Sequence, residues 1–170
     1  MYENSSELVE AFGGGNLFSC KEGDSNNPNQ FLEAGLEQAK SVVVNTSAAA
    51  NLVMLGAGYF CPLRGFLNKA DSLTVCEKME LKNGLFWPIP VINLVSSGEG
   101  IKEGELLALR DPNVIGQPIL ACQEVESVEY LTNSELKNMA GSIFGTLDRS
   151  HPGVENFLAQ GNVLLAGNVI

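Results

Sequence analysis

Asp148, Ser150 and His151 crowd into the stretch "TLDRSHPGV", Thr146 to Val154, and they are the residue types of acid–base and nucleophilic catalysis. His151 is the only histidine in the chain, so any imidazole chemistry must pass through it. A local role competes with that reading. His151 precedes Pro152, which suits the first turn of a helix, and its ring can accept a backbone N–H as a cap. Asp148 can likewise satisfy the donors of its own turn. Three polar residues adjacent in a turn do not thereby converge as a triad, and capping is the role expected here. These residues by themselves assign no catalytic or substrate-binding position.

The remaining candidates are weaker. Cys20, Cys61, Cys76 and Cys122 include no Cys-x-x-Cys pair, and with a single histidine no ordinary zinc site can be written; reduced, mostly buried thiols are expected and no metal. Glu124, Glu126 and Glu129 do not all share one strand face, so they read as solvated surface. "GGGNLFSCKEG" lacks the spacing of a phosphate loop, and "GAGYF" lacks the third glycine of a dinucleotide fingerprint and reads as a helix terminus.

With 20 acidic against 10 basic residues, the 170-residue chain carries a formal charge of -10 and no cluster of Lys or Arg, which argues against nucleic acid as a partner. Its apolar runs are broken well before the ~20 residues of a membrane span. A cytoplasmic protein without a membrane partner is expected.

The elements that must position these residues are legible in part. Residues 1–40 read as an N-terminal extension, rich in Gly, Asn and Ser, with a short helix from Asn29 to Lys40. The domain proper follows over 41–170. "SVVVN" predicts a strand, and "TSAAANLVMLGAG" a small-residue helix stopped by Gly56 or Gly58. Asn68 caps a helix with Asp71 three residues on, Ala70, Leu73, Cys76 and Met79 forming its inner face and the helix ending near Met79 or Glu80. Asn83 and Gly84 then supply the two positive φ angles of a tight hairpin. The strand leaving it carries Pro88 and Pro90, so it belongs at a sheet edge or an open barrel seam. Trp87 should anchor the core.

"ELLALR" predicts another strand, "DPNVIGQ" a turn, and "PILACQEVESVEYL" one long strand whose apolar parity changes, repaired by a bulge near Glu126 or Ser127. Thr132 and Glu135 form a capping box, and Leu136, Met139, Ala140, Ile143 and Phe144 make a helical stripe ended by Gly145. Pro152 opens a helix closed before Gly161, and "NVLLAGNVI" is a final strand. The sum is an acidic α+β domain with a barrel-like sheet.

Taken together, "GAGYFCPLRGFLNKADSLTVCEKMELKNGLFWPIPV", "ALRDPNVIGQPILACQEVE" and "FGTLDRSHPGV" resemble the N-terminal domain of the ATP sulfurylases, the sulfate adenylyltransferases. The resemblance runs from Ala48 to Ile170. It rests on Pro62, Leu63, Gly65 and Phe66; on Met79, Leu81, Gly84, Trp87, Pro88, Ile89 and Pro90; on Leu109, Arg110 and Asp111; and on Phe144 to Thr146, Asp148 and His151 to Val154. Cys61 stands where the family commonly has serine, and Leu67 where it has methionine. The Asp-Pro-Asn insertion leans toward the versions of sulfur-oxidising and sulfate-reducing microbes.

That resemblance implies a PUA-like β pseudo-barrel with flanking helices, a fold whose broken edge tolerates Pro88 and Pro90. It implies, for the whole enzyme, conversion of sulfate and MgATP to adenosine 5'-phosphosulfate and pyrophosphate, carried by alignment and charge stabilisation. The family grips its substrates in a following domain with Gln-x-Arg-Asn and His-x-x-His motifs, and this chain has neither. The expectation is therefore a fragment that stops on "VLLAGNVI" where the catalytic domain begins, inactive alone and without its own cofactor. Its partners would be that catalytic domain and further copies in a homo-oligomer. Thr146, Asp148, His151, Pro152 and Gly153 are the candidate interface residues. The alternatives are a free-standing PUA-like module binding RNA or a protein partner, and a small hydrolase using His151 and Asp148.

Overall fold

The computed structural model describes residues 12–13 and 39–170 of the chain. Valine-rich Ser41–Val43 forms β1 and Thr46–Gly56 forms α1. The Asn45 side chain starts α1 by accepting the Ala48 N–H at 2.8 Å. Of the two glycines expected to stop it, Gly58 makes the left-handed turn with φ +78°. Its N–H bonds the Leu55 carbonyl and the Tyr59 N–H bonds the Met54 carbonyl, both at 3.0 Å, which satisfies two of the helix's terminal acceptors. Ala48, Ala49, Leu52 and Leu55 are buried, the two alanines letting α1 sit close to the core.

Gly65–Phe66 forms β2, and Lys69–Lys78 forms α2, capped by Asn68 through the Asp71 N–H at 2.8 Å. The inner face of α2 differs from the expected one: Ser72 and Val75 are buried, Leu73 and Cys76 flank them, and Ala70 and Met79 are exposed. Ser72 is admitted because its hydroxyl donates to the Asn68 carbonyl at 2.7 Å, so no polar group is left unmet. Met79 turns out of the helical period at a left-handed C-cap, φ 55°.

The hairpin also departs from expectation. Only Gly84 takes positive φ; Asn83 instead accepts the Leu85 N–H through its side chain at 3.1 Å, and the Gly84 N–H bonds the Leu81 carbonyl at 2.8 Å. Its arms pair at a single bridge, Glu80 with Phe86. The prolines are not in a strand: Pro88 lies in a bend, Pro90 in irregular chain, and β3 begins only at Leu94–Val95. Chain that cannot donate N–H groups cannot build a ladder, so pairing waits until both prolines are past. Trp87 is buried as expected, edge-on to Phe60 at 6.0 Å.

Two sheets share the core. In the first, Leu106–Arg110 (β4) lies between β1, parallel, and Ile119–Glu124 (β5), antiparallel. In the second, Val163–Asn168 (β7) is central, with Ser127–Tyr130 (β6) along one edge and β3 and β2 in turn along the other. The sheets meet where Gln123 bridges Val169, and Cys122 and Ile170 exchange hydrogen bonds of 3.1 and 2.8 Å. Between β1 and β3 the seam is spanned by the Asn45 side chain, which donates to the Leu94 carbonyl at 3.1 Å. The architecture is α+β around a pseudo-barrel that does not close.

The expected single long strand is two strands. The Val125 N–H bonds Glu105 at 3.0 Å, beside the first sheet, and the Glu126 N–H bonds Ala166 at 2.9 Å, in the second. The parity change marks a change of sheet. The bulge lies earlier, at Leu120, which opposes no residue because Leu109 pairs Ala121 and Arg110 pairs Ile119.

Asn133–Phe144 (α3) begins with the expected capping box: Thr132 Oγ1 accepts the Glu135 N–H at 3.2 Å, and Glu135 accepts the Thr132 N–H at 2.7 Å. Lys69 pairs with Glu135 at 2.9 Å and ties α2 to α3. The Thr132 N–H, then Lys69, hold the Glu135 carboxyl down to about 2.

Two tests follow from this packing. A β-carbon at Gly167, φ +142°, would stand 1.9 Å from the Glu124 carbonyl oxygen, backbone that cannot yield alone. Gly167→Ala should cost about 3 kcal/mol or more in urea denaturation, and an unchanged midpoint would contradict this packing. Because the Glu135 pKa is depressed on folding, its contribution is complete above the ordinary 4.5 and is lost as pH falls toward about 2. The stability difference between the wild type and Glu135→Gln should shrink to nothing across that window; a difference independent of pH would contradict the capping box as its source.

Candidate functional site

The turn between α3 and Pro152–Ala159 (α4) brings the expected interface residues together. Gly145 ends α3 in the left-handed region at φ 68°, and the chain then folds on itself. Thr146 Oγ1 accepts the Asp148 N–H at 3.1 Å, and Asp148 accepts the Ser150 N–H at 2.9 Å. The Asp148 carbonyl accepts the His151 N–H at 3.0 Å. His151 Nδ1 accepts the Gly153 N–H at 3.1 Å, so the ring caps α4 and Pro152 takes the first helical position, where no donor is needed. Arg149 grips Glu155 with two bonds of 2.7 and 3.1 Å. Beneath the turn, Phe144 contacts the His151 ring at 5.5 Å and Phe157 at 6.1 Å. Gly153 is needed there, since a β-carbon would come within 2.6 Å of the Phe144 ring.

This geometry defines what the turn can do. A Ser-His-Asp relay requires the histidine Nδ1–H to donate to the aspartate. Here Nδ1 is an acceptor, and Asp148 is engaged with the Ser150 backbone, whose bonds hold its carboxyl below the ordinary carboxylate range. The residues of the triad reading lie together, but as a self-satisfied helix connector.

The other sequence candidates are likewise occupied. Glu129 accepts the Lys69 N–H at 2.7 Å, completing the start of α2 from another element, a role with no local sequence signal. Glu126 accepts from Asn168 at 3.0 Å. Burial pushes the Cys76 thiol up to about 11 and raises that of Cys122; Cys61 is buried as well. Gly58 of "GAGYF" is the α1 terminus described above, while "GGGNLFSCKEG" beyond Gly13, Cys20 and the Asn29–Lys40 helix lie outside the described residues apart from positions 39 and 40. Among the described residues no three His, Cys, Asp or Glu side chains group as metal ligands, and Lys40, Lys69 and Arg149 are paired to Glu105, Glu135 and Glu155. No described helix is long and apolar enough to cross a membrane.

The tip of the β4–β5 hairpin, a plain turn by its sequence, leaves Ile115 103% exposed and Val114 47%. Exposure, unlike periodicity, has no signature in a short apolar pair.

An open pseudo-barrel with flanking helices defines a class, and comparison with known proteins agrees: residues 13–170 match the PUA-like domain family, to which the chain belongs. Its relatives are sulfate adenylyltransferases. That of Alcanivorax borkumensis is 46% identical over 138 residues, covering 81% of this chain and 34% of the relative. That of Allochromatium vinosum is 44% identical, covering 81% and 35%. That of Desulfovibrio desulfuricans is 36% identical, covering 96% and 40%. The chain thus spans between about a third and two-fifths of the length of these relatives. Among solved structures, a hexameric APS kinase from Thiobacillus denitrificans shares the fold, with a TM-score of 0.63 and 24% identity over 95% of this chain and 26% of that one.

The capping role of His151 is testable in the chain itself. His151→Ala should cost roughly 0.5–2 kcal/mol in urea denaturation, and His151→Asn, which can cap, should recover most of it. An asparagine variant no better than alanine would contradict the role.

Proposed function

We propose that the chain is the N-terminal, non-catalytic domain of a sulfate adenylyltransferase, and that it docks onto the catalytic part of the same enzyme. The observation that carries this reading is the 46% identity to a sulfate adenylyltransferase over 81% of the chain but only 34% of the relative. In the reaction proposed for the parent, a sulfate oxygen attacks the α-phosphorus of MgATP, giving adenosine 5'-phosphosulfate and pyrophosphate. Such a transfer needs cationic groups aligned on both anions. The single histidine of this chain is committed to a helix cap, which supports placing the chemistry elsewhere in the parent.

The proposed interdomain contact is the turn carrying Thr146, Asp148, His151, Pro152 and Gly153. Its internal hydrogen bonds hold it in one shape, so little ordering remains to be done on docking, and Leu147 stands exposed at its centre. The parent is read as a cytoplasmic homo-oligomer. The charge of -10 argues against RNA as the partner of a free-standing module.

The test is ATP formation from adenosine 5'-phosphosulfate and pyrophosphate with magnesium. The chain alone should give no turnover above buffer, whereas the intact gene product should be active. His151→Ala in the intact protein should weaken the interdomain contact about tenfold, equal to ~1.4 kcal/mol. Turnover by the chain alone, abolished by that substitution, would overturn the proposal.

A further inference from the structure

The β4–β5 hairpin ends in an apolar tip built to stay in place. Between Asp111 and Glu124 the chain carries no charged residue. Val114 and Ile115 project at its end, the latter fully exposed. The backbone beneath them is fastened on every side. The Asn113 N–H bonds Asp111 at 2.8 Å, and Arg110 donates to the Gln117 carbonyl at 3.0 Å. The Gln117 N–H bonds the Val114 carbonyl at 2.9 Å, and Thr46 of α1 meets Asn113 at 3.1 Å. Gln117 is held at φ 47°, an unfavourable conformation for a residue with a side chain. Bonds and backbone strain that keep two apolar side chains in water do nothing for the domain alone. They suit an anchor that inserts into a partner without losing freedom on binding.

The direction of the chain indicates the occupant. Ile170 exchanges both hydrogen bonds with Cys122, antiparallel to β5, so a chain continued in that register would run back along β5 toward Pro118 and the tip. Leu120, bulged out of register, ends regular pairing on the way, and four residue steps lead from Cys122 to Pro118, about 13 Å. The exposed side chains of Leu120 and Ile170 line that path. We infer that Val114 and Ile115 are the anchor buried by the polypeptide that follows Ile170 in the intact protein. This rests on the functional reading above, in which a longer catalytic part follows, and it names a second contact, distinct from the Thr146–Val154 turn.

Hydrogen exchange of the intact gene product, followed by mass spectrometry over residues 112–118, tests the inference. The amides of Ile115 and Gly116 have no hydrogen bond among the described residues, so in the chain of 170 residues they should exchange as open loop. In the intact protein they should exchange at least about tenfold more slowly. Ile115→Asp should restore the open-loop rate, Ile115→Leu should keep the protection, and neither should alter the stability of the 170-residue chain, where Ile115 touches solvent alone. Open-loop exchange in the intact protein would overturn the anchor. Protection that disappears on dilution, or that the 170-residue chain shows by itself at high concentration, would assign the tip to a second copy and overturn the occupant. An intact protein that makes no adenosine 5'-phosphosulfate would defeat the functional reading instead, and the exchange of the tip would still report whether following polypeptide covers it.

Discussion

Strand β7 carries partners on both edges, and the rest of the domain is arranged so that its backbone can be reached from both sides. Leu164 pairs with Leu94 of β3 and with Glu129 of β6, Val163 with Val95 and with Tyr130, and Gly167 pairs with Phe66 of β2. Every residue from Val163 to Gly167 is buried, which is why this strand reads as an apolar run without alternation. Close approach is possible only without side chains at the crossings. Gly65 and Gly167 lie backbone to backbone, and Gly161 passes the Val95 carbonyl where a β-carbon would stand 2.3 Å away. Gln123, wholly buried, donates to the Leu165 carbonyl at 3.1 Å and so fastens β5 to the same strand.

What the sequence disclosed and what it concealed divide by distance along the chain. The caps at Asn68, Thr132 and His151 were legible because donor and acceptor stand two or three residues apart. So was the α3 stripe, since Leu136, Met139 and Ala140 repeat within one helix. The Val125–Glu126 crossing was visible only as a change of parity, because its cause is two bonds to opposite sheets. Ser72 on a buried face, Glu129 capping a helix 60 residues away, and β1 lying parallel to β4 have no local pattern. The PUA-like architecture itself came from motif resemblance, not from periodicity.

The same division applies to the candidate site. Asp148 and His151 were singled out by residue type, and their local roles followed from position beside Pro152. Their hydrogen bonds make them the frame of an ordered turn. The hairpin tip at Ile115 follows the opposite course: unremarked as residue types, it is defined by exposure and by the bonds that hold it. Both features lie on the surface of a domain whose acidic charge balance disfavours polyanions.

The account stands on β7 as the strand that joins the two sheets into one cooperative unit. Native-state amide exchange by NMR, with increasing urea, tests that most directly. The Leu165 and Ala166 amides should exchange only through global unfolding, with the full denaturant dependence, while the Lys82–Leu85 turn opens locally. If the β7 amides exchanged by local opening, at rates close to those of that turn, β7 would not be what holds the sheets together.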